Sequence, residues 1–134
     1  MAFDAELVFH DGTTITADIA ATSLTVAGNG SVCIDLRESR REGLVAHLFV
    51  GNDLAEIGDT LQVTIEHCAT VDGTYVEIAR FPLLTKGTGM PGHYQLLFST
   101  FLQFIRAKVD ITDADAGSDF SVAGVHILLG TSML

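Results

Sequence analysis

Ile105-Arg106-Ala107-Lys108-Val109-Asp110-Ile111 alternates apolar and charged side chains without a break. A period of two puts Ile105, Ala107, Val109 and Ile111 on one face and Arg106, Lys108 and Asp110 on the other. That pattern is a strand with one buried and one wet face, and it does not fit an amphipathic helix. Thr60-Leu61-Gln62-Val63-Thr64-Ile65-Glu66 reads the same way, with Leu61, Val63 and Ile65 inward. Working outward, similar runs fall at 6–10, 13–20, 24–27, 32–36, 44–50, 75–80, 94–99 and 120–129. In the last, the inward phase of Phe120 and Val122 changes to Val125, Ile127 and Leu129, which predicts a bulge at Gly124.

Turn signals separate these runs: Asp11-Gly12, Gly28-Asn29-Gly30, Gly51-Asn52-Asp53, Gly58-Asp59, Asp72-Gly73, Lys86-Gly87 and the stretch 113–118. Short strands punctuated at such intervals predict an all-β antiparallel sandwich of about eight to ten strands, of the jelly-roll or Greek-key kind. Residues 1–134 form a single domain on this reading. Single helical turns are expected only at 37–43 and 53–57.

Composition bounds the function. Seventeen acidic residues against seven basic ones give a formal charge of −10, the wrong sign for a phosphate-binding surface, so no nucleic-acid partner is expected. No uninterrupted apolar stretch reaches the length of a membrane span. Met1-Ala2-Phe3-Asp4-Ala5-Glu6 lacks the basic start of a secretory signal. Counting Gly and leaving out Tyr, 75 of 134 residues are apolar, above the roughly 45–50% of an ordinary soluble domain. A chain this acidic and this apolar is expected to cover part of its apolar surface with a partner.

Motifs with chemical meaning are few. Gly87-Thr88-Gly89-Met90-Pro91-Gly92 spells a dinucleotide fingerprint, but it leads into the strand-like His93-Tyr94-Gln95-Leu96-Leu97-Phe98 rather than a helix. The carboxylates Asp113, Asp115 and Asp119 flank a Gly where a calcium loop would place another ligand, and a solvated turn is expected. His10, His47, His67, His93 and His126 form neither H-x-H nor H-E-x-x-H, so satisfied core or interface histidines are expected, with no metal and no cofactor. Cys33 and Cys68 match no zinc spacing; they read as free thiols of a reducing compartment, with a bridge between them left open. No nucleophile elbow is present, and no enzymatic activity is expected.

Two features point to contact with other proteins. Arg37, Arg40 and Arg41 concentrate three of the seven basic residues, able either to neutralise Glu38 and Glu42 or to dock on an acidic surface. Phe98, Phe101 and Leu102 surround an expected turn, and Phe3, Met133 and Leu134 lie in apolar tails. These nine residues are the candidate partner interface.

The order of elements resembles the small jelly-roll capsid cement (decoration) proteins of tailed bacteriophages. The likeness rests on a short strand ending Ile34-Asp35-Leu36, the apolar strand Leu44-Val45-Ala46-His47-Leu48-Phe49-Val50, and Leu61-Gln62-Val63-Thr64-Ile65-Glu66. It continues through the turn Thr70-Val71-Asp72-Gly73-Thr74-Tyr75, then Phe104 to Ile111 and a final apolar strand. It covers nearly the whole chain through length, strand order and turn placement, and the insert at 37–42 departs from it. The resemblance implies a homotrimer on the outer surface of the virion, clamping neighbouring major capsid protein subunits. The alternative is a β-sandwich carbohydrate- or receptor-binding module of a phage tail, for which the absence of Trp and the presence of only two Tyr are poor equipment.

Overall fold

A computed structural model describes residues 8–12, 15–17, 23–26, 33–36, 42–87, 92–112 and 120–130. The strands are β1 (Val8–Asp11), β2 (Ile15–Ala17), β3 (Ser23–Val26), β4 (Ile34–Asp35), β5 (Leu44–Val50) and β6 (Thr60–Cys68). They continue as β7 (Val76–Arg80), β8 (Leu84–Thr85), β9 (Gly92–Phe98), β10 (Phe104–Thr112), β11 (Phe120–Val122) and β12 (Val125–Gly130). The described residues contain no helix, so the fold is all-β as the alternation predicts.

One sheet runs β1-β12-β5-β9 and the other β3-β10-β6-β7, with β4 also on β10 and β8 on β6. All pairs are antiparallel. The pairs β1·β12, β2·β11, β3·β10, β5·β9 and β6·β7 are successive rungs of one long ribbon. Rolling that ribbon sets β12 beside β5 and β10 beside β6, which closes two Greek keys into a jelly-roll sandwich. The β2·β11 rung is a two-stranded piece of its own, continuing the ribbon between the two sheets.

Alternation decides what the sheets enclose. Leu44, Ala46 and Leu48 of β5 and Ile127 and Leu129 of β12 face Leu61, Val63 and Ile65 of β6 and Ala107 and Val109 of β10 in one continuous core. Phe81, just after β7, plugs this core from outside any strand.

Two local expectations are corrected. The run 120–129 is two strands in different sheets, not one bulged strand. Gly124, at φ +74°, turns the chain from the β11 ribbon into β12, and the Gly51 N–H bonds its carbonyl at 3.0 Å. A Cβ there would lie 2.7 Å from Asn52 Nδ2, which donates to the Ala123 carbonyl. Gly124→Ala should therefore cost about 1–2 kcal/mol through the disfavoured φ and the lost bond; a thermal melt unchanged from wild type would contradict this.

Residues 53–57 form no helical turn. The Asp53 carboxylate accepts the N–H groups of Leu54 and Gly87, and Asp59 Oδ2 accepts the Glu56 N–H, so side chains take bonds a helix would give to carbonyls. For the other expected turn, Glu42 and Gly43 are bends and 37–41 lie outside the described residues.

Candidate functional site

The loop Ser99–Gln103 joins β9 to β10 at one end of the sandwich, where β5 starts and β6 and β12 finish. Three elements hold it. Ser99 Oγ accepts the Gly43 N–H ahead of β5, at 3.4 Å. Thr100 Oγ1 lies 2.7 Å from His67 Nδ1 on β6. Gln103 donates to the Asp35 carboxylate of β4 at 2.8 Å, and its carbonyl accepts the Leu36 N–H at 2.9 Å. Within the loop, Thr100 Oγ1 also accepts the Leu102 N–H and bonds the Leu102 carbonyl.

At the centre of these ties stands Phe101, 77% exposed. Its ring meets His67 edge-on, with centroids 4.9 Å apart. Val76 pairs with His67 in register and is also exposed, so two apolar side chains flank one buried imidazole. Val71 and Leu97 add exposed apolar surface at the same end. Ordered, solvent-facing aromatic surface of this kind is the usual mark of a contact site.

The outer face of the larger sheet has its own cluster beside this end. Tyr75, Cys33 and Cys68 pack together with Phe104. Arg106 lies 4.0 Å above the Tyr75 ring and donates through Nε to Glu66 at 2.9 Å. Tyr75 donates its hydroxyl to the Val71 carbonyl at 3.1 Å. Burial pushes that hydroxyl well above its ordinary titration range, and a hydrogen bond with the Cys33 side chain adds to the shift. Neither cysteine is in a disulfide, and both are buried.

The outer face of the four-stranded sheet carries rings. Phe49 and His93 stack with centroids 4.1 Å apart and planes at 7°. His47 Nδ1 lies 3.1 Å from His93 Nε2. His47 and His67 are thus buried histidines with partners, as expected from their places in apolar runs. Among the described residues, no group of three or more His, Cys, Asp and Glu side chains gathers as metal ligands would.

The nine candidate interface residues divide. Phe101 is the most exposed aromatic side chain at this end, and Leu102 is half-buried beside it. Phe98 is corrected: it is 6% exposed and belongs to the core, because Tyr94, Leu96 and Phe98 take the inward phase of β9 and Leu97 the outward one. Phe3, Arg37, Arg40, Arg41, Met133 and Leu134 lie outside the described residues. Leu36 and Gly43, which flank 37–42, both bond the Phe101 loop. Sequence reasoning missed Val76 and Leu97. The doublet Leu96-Leu97 carries a signal, since one of two adjacent residues in a strand must face away from the core. The Gly87–Gly92 stretch leads into β9, a strand rather than a helix. Residues 113–119 are outside the described set.

Fold and site together define a jelly-roll sandwich with an apolar, tethered aromatic at one end. No protein-family model matches the chain, and no curated protein matches it. Among solved structures, it is similar to the CBM22-1–GH10 modules of Clostridium thermocellum endo-1,4-β-D-xylanase 10B, solved with xylohexaose. Identity is 13% and the TM-score 0.41; the match covers 100% of this chain but 30% of that one.

Proposed function

We propose that this protein is a non-enzymatic structural protein that associates with itself through the Phe101 end and acts as a capsid cement protein. In that role a homotrimer sits on the outer surface of a phage head and clamps neighbouring major capsid subunits. One observation carries the reading: an exposed Phe ring on a loop bonded to β4, to Gly43 just ahead of β5, and to β6. An exposed side chain held in place loses little entropy when a partner covers it, which is what an interface anchor requires. Strand order, length and turn placement give the same reading through their resemblance to cement proteins. Many copies, each adding modest contacts, would reinforce a shell without any reactive group.

Light scattering tests it. The expected particle contains three 14.3 kDa chains. Phe101→Asp should weaken association by about thirtyfold or more, the scale of a lost hot spot, while leaving the far-UV spectrum intact because the ring is mostly exposed. Co-sedimentation with expanded capsids then separates the cement role from other trimers. A wild-type chain that stays monomeric at all concentrations and ignores capsids defeats the proposal.

The Phe49–His93 stack favours a second reading, a carbohydrate- or receptor-binding module, because His93 is exposed on a sheet face. Against it, Arg106 covers Tyr75 and Tyr94 packs against the core. Glycan-array binding lost in His93→Ala would move the assignment there.

A further inference from the structure

Resting on the reading of the Phe101 end as an association surface, we propose that His67 is a proton-sensitive latch on that surface, so that self-association weakens on acidification. His67 lies beneath the surface, not on it. It is 6% exposed, its Nδ1 sits 2.7 Å from Thr100 Oγ1, and its ring touches Phe101. Among the described residues, its in-register neighbours are Val76 on β7 and Ile105 on β10, and its ring partners are Thr100 and Phe101 of the loop. None of these titrates. Its chain neighbours Glu66 and Cys68 and the β7 residue Glu77 fall on the opposite face by strand alternation. Among the described residues no carboxylate is therefore placed to compensate an imidazolium, and burial holds the His67 pKa below its ordinary value of 6.5.

The chemistry follows from the hydrogen bonds. Thr100 Oγ1 serves His67, the Leu102 N–H and the Leu102 carbonyl at once. A hydroxyl has one proton, so its bonds to the Leu102 carbonyl and to an unprotonated Nδ1 compete for it. A neutral imidazole can adopt either tautomer and keep the arrangement. An imidazolium must donate from both nitrogens, and its charge sits among Val76, Ile105 and Phe101. The Nδ1–H bond to Thr100 Oγ1 is the one a neutral tautomer already makes, so the cost lies in the buried charge and the second N–H, directly beneath the Thr100 loop that positions Phe101.

Association deepens this effect. A partner covering Phe101 and Val76 removes the remaining water near His67 and disfavours its protonation further. By linkage, assembly then excludes protons, and the association constant falls as pH drops below the His67 pKa of the free chain. The limit is about tenfold per pH unit for each His67 buried in the assembly. The sign for folding is the same. Because the folded pKa is lowered, the unfolded chain binds the proton first, so stability falls as pH decreases from about 6.5 towards the folded pKa.

The experiment has two arms. Light scattering between pH 8 and pH 5 is run on wild type, His67→Gln and Thr100→Val, and NMR follows the His67 ring and the Thr100–Gln103 amides over the same range. Wild type should lose association with falling pH. His67→Gln should associate at pH 8 with a flattened pH profile, and the loop amides of wild type should shift with the His67 titration midpoint. Thr100→Val guards against misfolding of the histidine variant: it removes the hydroxyl, so its loop amides should no longer follow His67. Loop amides that ignore the His67 titration, or a His67→Gln profile identical to wild type, overturn the latch. If wild type is monomeric at pH 8, the association reading fails, and the NMR arm still decides whether His67 controls the loop.

Discussion

Phe81→Ala is expected to destabilise the fold by about 3–5 kcal/mol, the scale of a ring removed from a packed core. Phe81 is 1% exposed and lies in the core between the sheets. Its backbone cannot follow a shrinking side chain inward. The Phe81 N–H bonds the Val63 carbonyl at 2.9 Å, and its own carbonyl accepts from Gln62 at 3.2 Å. The cavity left by the ring therefore stays open, and the cost includes the cavity as well as the lost transfer energy. Leu83, two residues on, is exposed, and Leu83→Ala should fall within about 0.5 kcal/mol of wild type. Urea denaturation of both variants is the measurement. Equal midpoints for the two would show that Phe81 does not plug the core.

The second large effect is asymmetric. Arg106→Ala should cost about 2–3 kcal/mol, because it leaves the buried Glu66 carboxylate without its cation and uncovers the Tyr75 ring. The arginine side chain retains 23% exposure and the glutamate 10%, so the loss is set at the lower end of what a fully buried pair shows. Replacing both partners with uncharged residues of similar shape, Arg106→Met with Glu66→Gln, should come within about 1 kcal/mol of wild type. The comparison separates a charge left unpaired from packing lost. A double variant as unstable as Arg106→Ala would mean that the stem and guanidinium plane over Tyr75 matter more than charge balance.

The two alternating runs show why most of the fold is legible in the sequence. In β6 and β10 every inward residue the alternation names is buried, and β10 keeps its outward face part-exposed; in β6 the expected wet face is corrected, because Thr64, Glu66 and Cys68 are buried too, Glu66 under Arg106 and Cys68 against Tyr75. The apolar run of β5 has the same bounds in sequence and structure, because Gly43 and Gly51 punctuate both ends. What sequence misses is decided by distant chain. Leu84–Thr85 is only two residues long and exists because β6 offers an edge. The break at Gly124 looks like a bulge locally; only the pairing of β11 with β2 makes it a passage between sheets.

The site divides on similar lines. Phe101 and Leu102 stand out because apolar residues beside an expected turn have no core to enter. Phe98 is misplaced by its sequence because Leu96-Leu97-Phe98 supports either phase, and the pairing of Phe98 with Leu44 selects the inward one. The His67–Thr100 contact spans 33 positions and joins two residue types that are ordinary where they stand. Nothing local marks such a pair.

The ribbon of paired strands has a consequence for how the molecule comes into being. Val8 meets Leu128, and Ala107 meets Val26, so the outer rungs join strands that lie far apart in the chain. Closing a loop costs entropy that grows with its length, and the smallest cost falls at β6·β7, the rung with the shortest connection. Folding is expected to zip from that hairpin outward, with β1·β12 last. During synthesis β1 emerges long before β12, the partner it must wait for. The four-stranded sheet is therefore completed only after every other strand has been made, and the protein belongs among slow folders dominated by distant pairings.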